Sequence, residues 1–189
     1  FSMFEWNTQR VGASAERLDK SSFRLSEKLD MKLSIETRLV TEFKHFNEDL
    51  SFGRTTRYYE PSMWLEHRWS QDVINTVNLT YRRRNANDGR IENVSDDWVG
   101  TADVVWQKNN FVGMRYIELQ QTLAGEIHRT RGYSPQRSYR LNSASSINAY
   151  PIQSLIVRFR MDVTQYWDKL MSESDYTVLG FSLKVSLQL

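Results

Sequence analysis

Two segments near the C-terminal end of the chain alternate between apolar and polar residues. The odd-numbered residues from Leu155 to Val163 are all apolar, and so are those from Leu179 to Leu189. Because successive side chains of a strand point to opposite faces, each segment forms one apolar face and one polar, often charged face. Each apolar face is long enough to cross a bilayer as a tilted strand. The pattern therefore predicts β-strands whose apolar faces contact an apolar medium.

Composition narrows the class further. The 189 residues suffice for one domain, and no apolar run approaches the length of a transmembrane helix, which argues against a helical membrane protein. A membrane barrel stays compatible, because half of each strand is polar. The formal net charge of +2 argues against nucleic acid as a partner, and the absence of cysteine excludes disulfides and thiolate metal sites.

The same alternation recurs along the chain and predicts about ten strands joined by connections of two kinds. Strands are predicted at 4–11, 22–29, 31–46, 57–70, 73–84, 97–107, 111–123, 137–149, 153–166 and 174–189. Short turns are predicted at 29–30, 70–72, 108–110 and 150–152, and longer polar connections at 12–21, 47–56, 85–96, 124–136 and 167–173. The facing of the strand at 111–123 stays open, because a bulge near Gly113 would reverse it. Since consecutive antiparallel strands place every other connection at the same end, the short turns share one end and the long connections the other.

Aromatic residues are spaced as a membrane crossing requires. Trp98 and Trp106 lie on the same face of one predicted strand, and at about 3.3 Å per residue and a tilt of about 40° they are roughly 20 Å apart along the membrane normal. Trp and Tyr collect at both membrane interfaces because each has an apolar body and a polar tip. The predicted aromatic girdle comprises Tyr59, Trp69, Trp98, Trp106, Phe111, Tyr150 and Trp167.

In strand pattern, loop alternation and aromatic spacing, the chain resembles the Gram-negative outer-membrane β-barrel class. The resemblance is one of architecture, without the motif of a single family. It implies an all-β fold, an antiparallel up-and-down transmembrane β-barrel of about ten strands or a contiguous sector of a larger barrel, such as its C-terminal sector. Residues 1–189 would form a single β-barrel domain in the bacterial outer membrane, with the short turns in the periplasm.

The predicted inward faces are strongly charged. Unpaired charges in a dry interior cost several kcal/mol each, so these groups must pair across strands or stay hydrated. Two interpretations stay open: a polar lumen that conducts small solutes, and a plug of salt-bridged side chains. The predicted lumen-lining residues are Lys32, Glu36, Arg38, Glu42, Glu66, Arg68, Arg82, Arg84, Asp103, Arg140, Arg158, Arg160, Asp162 and Lys184.

A basic segment contains Arg129, Arg131 and Arg137. If it faces outward, it would contact the phosphates of lipopolysaccharide, which arginine binds bidentately. The alternative is a solvated loop.

The chemistry-bearing residues give little support for catalysis. The three histidines are scattered and match neither a metal-ligand spacing nor a nucleophile motif, so no metal and no cofactor are expected. His45, Asp49, Glu126 and His128 are the one rim set that could serve an enzyme.

The leading functional hypothesis is a channel, or a structural or transport component of an envelope assembly, and not an enzyme. Its partners would be membrane lipid, lipopolysaccharide and other envelope proteins. Two alternatives remain: an outer-membrane enzyme with a site on the loop rim, and a soluble lipocalin-like β-barrel that binds an apolar ligand. In the second alternative the apolar faces would point inward and the arginine-rich faces outward.

Overall fold

A computed structural model describes residues 2–11, 18–50, 54–87, 91–152 and 155–187, with side chains described from Ser22 onward. Each strand pairs antiparallel with the next in the chain, which gives one ten-stranded up-and-down sheet. Among the described residues one 3-10 turn, Ser172–Ser174, lies in the last connection. Within these ranges no helix is long and apolar enough to cross a membrane. The strands are β1 (Ser2–Val11), β2 (Leu18–Lys32), β3 (Thr37–Leu50), β4 (Arg54–Arg68), β5 (Val73–Asn87), β6 (Glu92–Phe111), β7 (Met114–Arg131), β8 (Gln136–Ile152), β9 (Leu155–Asp168) and β10 (Tyr176–Leu187).

The sheet confirms the predicted all-β, antiparallel up-and-down fold. It is open over the described residues: β1 and β10 are its two edges, and no pairing joins them. This arrangement is consistent with a sector of a barrel.

Most strands are longer than the sequence predicts, and most of the predicted long connections are correspondingly shorter. β7 runs on to Arg131 and β8 begins at Gln136, where one connection of thirteen residues, 124–136, is predicted. The turn predicted at 29–30 lies inside β2, and the chain turns at 33–36 instead. Polar residues pair as well as apolar ones along an antiparallel ladder, because the hydrogen bonds join backbone groups. The predicted sorting of connections by length is therefore weaker in the structure, since 33–36 and 132–135 are equally long.

The register divides the side chains into two faces that continue across the whole sheet. Residues directly opposite each other on neighbouring strands share a face. One row of such partners, from β10 to β5, is entirely apolar, and the row one residue further along is polar or charged from β10 to β6. The apolar row is Leu183, Phe159, Ile147, Leu119, Trp106 and Val73. The polar row is Lys184, Arg158, Asn148, Glu118 and Gln107. We call the two sides of the sheet the apolar face and the polar face.

The apolar face has no protein layer packed over it. Phe159 is 40% exposed, Leu179 56% and Leu183 69%, and of the described apolar side chains only Ile117 and Ile156 are buried. A sheet with one apolar face normally buries that face against a second layer. Here the layer that covers it must come from outside the described chain.

The turn between β6 and β7 resolves the facing of the strand that the sequence left open. Val112 and Gly113 both have positive φ, 48° and 74°. Positive φ at both central residues is the mark of a type I′ hairpin turn, which matches the twist of the strands. After this turn Ile117 and Leu119 lie on the apolar face and Glu118 lies on the polar face.

Replacing Val112 should show the strain of this turn. A β-branched residue is disfavoured at positive φ, whereas asparagine before glycine is the preferred pair in such turns. We expect Val112→Asn to raise the free energy of unfolding by about 1 kcal/mol, measured by denaturant titration with tryptophan fluorescence. An equal or lower value would contradict the turn geometry.

Candidate functional site

The register places the predicted lumen-lining residues, except one, on the polar face. Glu36 lies in the turn at 33–36, where the Ser34 hydroxyl donates a hydrogen bond to it at 3.2 Å. The sheet is open over the described residues and encloses no lumen there, so the lumen stays a prediction. The residues that share the polar face are Lys32, Arg38, Glu42, Glu66, Arg68, Arg82, Arg84, Asp103, Arg140, Arg158, Arg160, Asp162 and Lys184.

Glu60 is the centre of the strongest polar cluster on this face. Among the described residues it is the one buried charged side chain. Arg82 Nε donates to its Oε2 at 2.8 Å, the Tyr58 hydroxyl donates to the same oxygen, and Lys44 Nζ lies 3.4 Å from Oε1. Lys44 also contacts Glu42 at 3.1 Å. The cluster joins β3, β4 and β5 through one shared carboxylate.

Other charges on the polar face pair locally. Arg160 binds Asp162 on its own strand at 2.8 Å, and Arg140 Nη1 lies 3.4 Å from Glu126 across β7 and β8. Arg38 forms an ion pair with Asp30.

Some cations on the polar face lie opposite like charges. The register places Lys184 directly opposite Arg158. Within the described ranges neither has an ion-pair partner, and the same holds for Arg84. Like charges directly opposite each other destabilise a sheet unless water screens them. The polar face is therefore suited to contact with water.

The structure does not bring the four rim residues together. Register puts His45 and Asp49 on the apolar face and Glu126 and His128 on the polar face. The His45 ring lies between Phe23 and Tyr59, with centroid separations of 5.7 and 4.6 Å.

His128 pairs with Asp97, a partner that sequence spacing does not suggest. Nδ1 of the imidazole is hydrogen-bonded to the carboxylate across β6 and β7. In the part of the chain that the structure describes, no hydroxyl group bonds this ring, and no group of three or more acidic or histidine side chains is placed to hold a metal ion.

The structure places the predicted girdle residues in different positions. Four of them lie on the apolar face: Tyr59, Trp98, Trp106 and Trp167. Trp69 lies in the turn after β4 with its ring edge against His67, and the Phe111 ring contacts Trp106 at 5.4 Å.

Tyr150 lies on the polar face, unlike the other predicted girdle residues. The β7–β8 register is unbroken up to Tyr150 and places it opposite Tyr116, with ring centroids 5.3 Å apart. Tyr150 shares the polar face with Arg140 and Asn148 because every second residue of a strand points to the same face. The register shift between Ala149 and Ile152 affects only the pairing of β8 with β9.

An unbroken row of large side chains crosses the apolar face from β5 to β9. Each member lies directly opposite the next, and the rings of Tyr81 and Trp98 are 4.3 Å apart. We call this set the aromatic row. Its members are Tyr81, Trp98, Ile127, Tyr139 and Trp167.

A second row, of three arginines and one aspartate, lies on the same face two residues beyond the aromatic row, toward the connection between β5 and β6. We call this set the arginine row and the end of the sheet that carries it the arginine end. Arg129 and Arg137 were predicted to contact lipopolysaccharide, and they lie directly opposite each other here. Arg131, the third such residue, lies further out and binds Asp96 at 3.1 Å. The row consists of Arg83, Asp96, Arg129 and Arg137.

The two rows enclose a shallow pocket of about 350 Å³ that opens on the apolar face. The Asp96 carboxylate, 15% exposed, forms its back. It accepts a hydrogen bond from Tyr81 at 2.7 Å and lies 3.8 Å from Arg83 Nε. Asp96 lies outside the band between the aromatic girdles. Burial acts to raise the pKa of its carboxyl group, but the hydrogen bonds from Tyr81 and Arg131 outweigh burial and lower that pKa below its usual value.

The pocket has more cationic than anionic groups. Arg83 and Arg131 share Asp96, and Arg137 Nε donates to the Tyr139 hydroxyl at 2.8 Å. Within the described residues no hydrogen bond or ion pair engages the side chain of Arg129. The pocket thus has a surplus of guanidinium donors.

Sequence reasoning missed Arg83 and Asp96. Arg83 lies two residues from Tyr81 and Asp96 two residues from Trp98, so each shares a face with an aromatic residue. That parity was a usable signal. What the sequence lacked was the register that aligns them across strands.

A groove of about 1230 Å³ crosses the apolar face on the inner side of the aromatic row. Gly100 and Gly125 lie directly opposite each other in its lining. The space above Gly125 is open, whereas Leu79 Cδ2 lies 3.1 Å from the position that a Cβ would take at Gly100. Tyr81, Trp98, Ile127 and Tyr139 line both the groove and the pocket, so the two adjoin each other across the aromatic row.

No protein-family model matches the chain, and no curated protein matches it either.

The burial of Glu60 predicts a stability difference between two glutamates on the polar face. Glu60→Gln removes the charge that Arg82 and Lys44 share, and we expect it to lower the free energy of unfolding by about 1–3 kcal/mol. Glu126→Gln is the matched control, because its pair with Arg140 is well exposed, and should cost less than about 1 kcal/mol. Denaturant titration of both variants decides; equal losses would show that the Glu60 cluster does not stabilise the sheet.

Proposed function

We propose that this sheet is a membrane-embedded β-barrel wall in the bacterial outer membrane, serving as a channel or as a structural or transport component of an envelope assembly. One observation carries the proposal: an exposed apolar face bordered by an aromatic row and, immediately outside it, an arginine row. Aromatic residues prefer the membrane interface, and arginine beyond them reaches the head groups.

Several polar groups within the apolar face are hydrogen-bonded to one another, as a lipid-facing surface requires. Among the described residues His45 Nδ1 and Asn47 Oδ1 lack such a partner, and both lie at the arginine end, level with Arg83 or further out. Gln121 Nε2 donates to the Ser143 hydroxyl at 3.0 Å, and the Ser145 hydroxyl donates to Gln121 Oε1. Thr37 and His67 are hydrogen-bonded at 2.8 Å. In hydrocarbon an unpaired polar group costs several kcal/mol, so such pairing favours a face that contacts lipid.

The edges of the sheet support a barrel. A bilayer does not tolerate the unpaired backbone groups of an open strand edge. In a membrane, β1 and β10 must pair with each other or with further strands. The charged polar face then points to the interior, where its unpaired cations require water. A wet interior is the property that a channel or transport component needs.

Two adjacent substitutions test which face meets lipid. Ala102 and Thr101 lie midway between Trp98 and Trp106 but on opposite faces. In lipid vesicles we expect Ala102→Arg to lower the free energy of unfolding by about 2–4 kcal/mol, the cost of arginine at the bilayer midplane, and Thr101→Arg to lower it by less than about 1 kcal/mol. A larger loss for Thr101→Arg would reverse the two faces.

Extraction of the unmodified chain from bacterial membranes separates membrane residence from a soluble fold. We expect release only by detergent and heat-modifiable mobility in SDS gels. Release as a monodisperse protein in detergent-free buffer would contradict the proposal and favour a soluble ligand-binding barrel.

A further inference from the structure

We propose that the pocket between the aromatic and arginine rows is a binding site for one phosphorylated lipid, with its phosphate groups on Arg83, Arg129 and Arg137 and an acyl chain in the groove beside them. This inference rests on the proposed membrane location. It adds a defined lipid site to a surface that would otherwise contact bulk lipid.

Charge favours a phosphate as the head group. Guanidinium groups bind phosphate oxygens through paired N–H donors. The pocket holds three arginines against the single carboxylate of Asp96, which Tyr81 and Arg131 already engage. Within the described residues no hydrogen bond or ion pair engages Arg129, so its donors are available to a ligand. Arg129 and Arg137 lie directly opposite each other on β7 and β8, and an anion bound between them would also reduce the repulsion between their charges.

The width of the site suits a head group with two phosphates. Arg83 is on β5 and Arg137 on β8, three strand spacings apart, which is about 14 Å. Arginines at this separation can bind both phosphates of one disaccharide head group at the same time. A single phosphate would engage only part of the row.

The groove explains why the ligand should be a lipid rather than a soluble phosphate. It begins at Tyr81, Trp98 and Ile127, the residues that form the inner wall of the pocket. Gly125 lies on its floor, and no atom lies within 4 Å of the position that a Cβ would take there. An acyl chain that descends from a head group in the pocket would enter this groove directly.

The test measures binding of diphosphoryl lipid A to the chain in nanodiscs of monogalactosyl diacylglycerol, which carries no phosphate. Native mass spectrometry counts the retained lipid, and inorganic phosphate is titrated in parallel. The charge variant replaces Arg83, Arg129 and Arg137 with Gln. Its control replaces Arg68, Arg84 and Arg158 of the polar face with Gln, so that the same net charge is removed outside the pocket.

We expect the charge variant to bind lipid A at least about tenfold more weakly than the unmodified chain, because each lost contact involves charged hydrogen-bond partners. The control should change affinity by less than about threefold. A second variant, Gly125→Leu, fills the groove without removing charge and should also weaken lipid A several-fold. It should leave the binding of inorganic phosphate unchanged.

The outcomes separate the two proposals. If the unmodified chain fails to insert, as judged by heat-modifiable mobility, the membrane location itself is wrong. If it inserts but the charge variant and its control bind lipid A equally, or Gly125→Leu binds it normally, the lipid site alone is overturned. Inorganic phosphate that binds as tightly as lipid A would also overturn it.

Discussion

The structure depends on one constraint, the unbroken hydrogen-bonded register between neighbouring strands. Side chains in a strand alternate with a period of two, and a register that continues from strand to strand carries that alternation across the sheet. The apolar row from Leu183 on β10 to Val73 on β5 is the direct result. A shift of one residue at any interior pair would mix arginine into that row, so the apolar and polar faces specify the register as much as they follow from it.

This constraint also sets what surrounds the sheet. An apolar face of this extent, with Leu179 and Leu183 more than half exposed, needs a cover of comparable area. We propose that this cover is a bilayer, because aromatic residues prefer the membrane interface and arginine beyond them can reach the head groups. The polar face requires ion pairing or water. The Glu60 carboxylate binds Tyr58, Lys44 and Arg82, whereas Arg158 and Lys184 lie opposite each other and need water to screen their charges.

Much of the fold could be predicted from the sequence, because strand alternation is local. The even-numbered charges of β9 and the spacing of Trp98 and Trp106 are visible without coordinates. Alignment between strands is not local. Tyr150 meets Tyr116 only through pairing of β7 with β8, and Asp97 meets His128 only through pairing of β6 with β7. The pocket that contains Arg83, Asp96 and Arg137 has the same origin, since the residues that line it come from four strands, β5 to β8. Strand ends were misjudged because polar residues at the hairpin tips continue the ladder.

The most direct test of the account measures what each side of β6 touches. The chain has no cysteine, so single-cysteine variants at residues 99–105 place one spin label each between Trp98 and Trp106. In lipid vesicles, labels at 100, 102 and 104 should collide preferentially with oxygen, which dissolves in lipid. Labels at 99, 101, 103 and 105 should collide with a water-soluble nickel complex. The reverse pattern, or an accessibility without a period of two, would contradict the assignment of the apolar face to lipid.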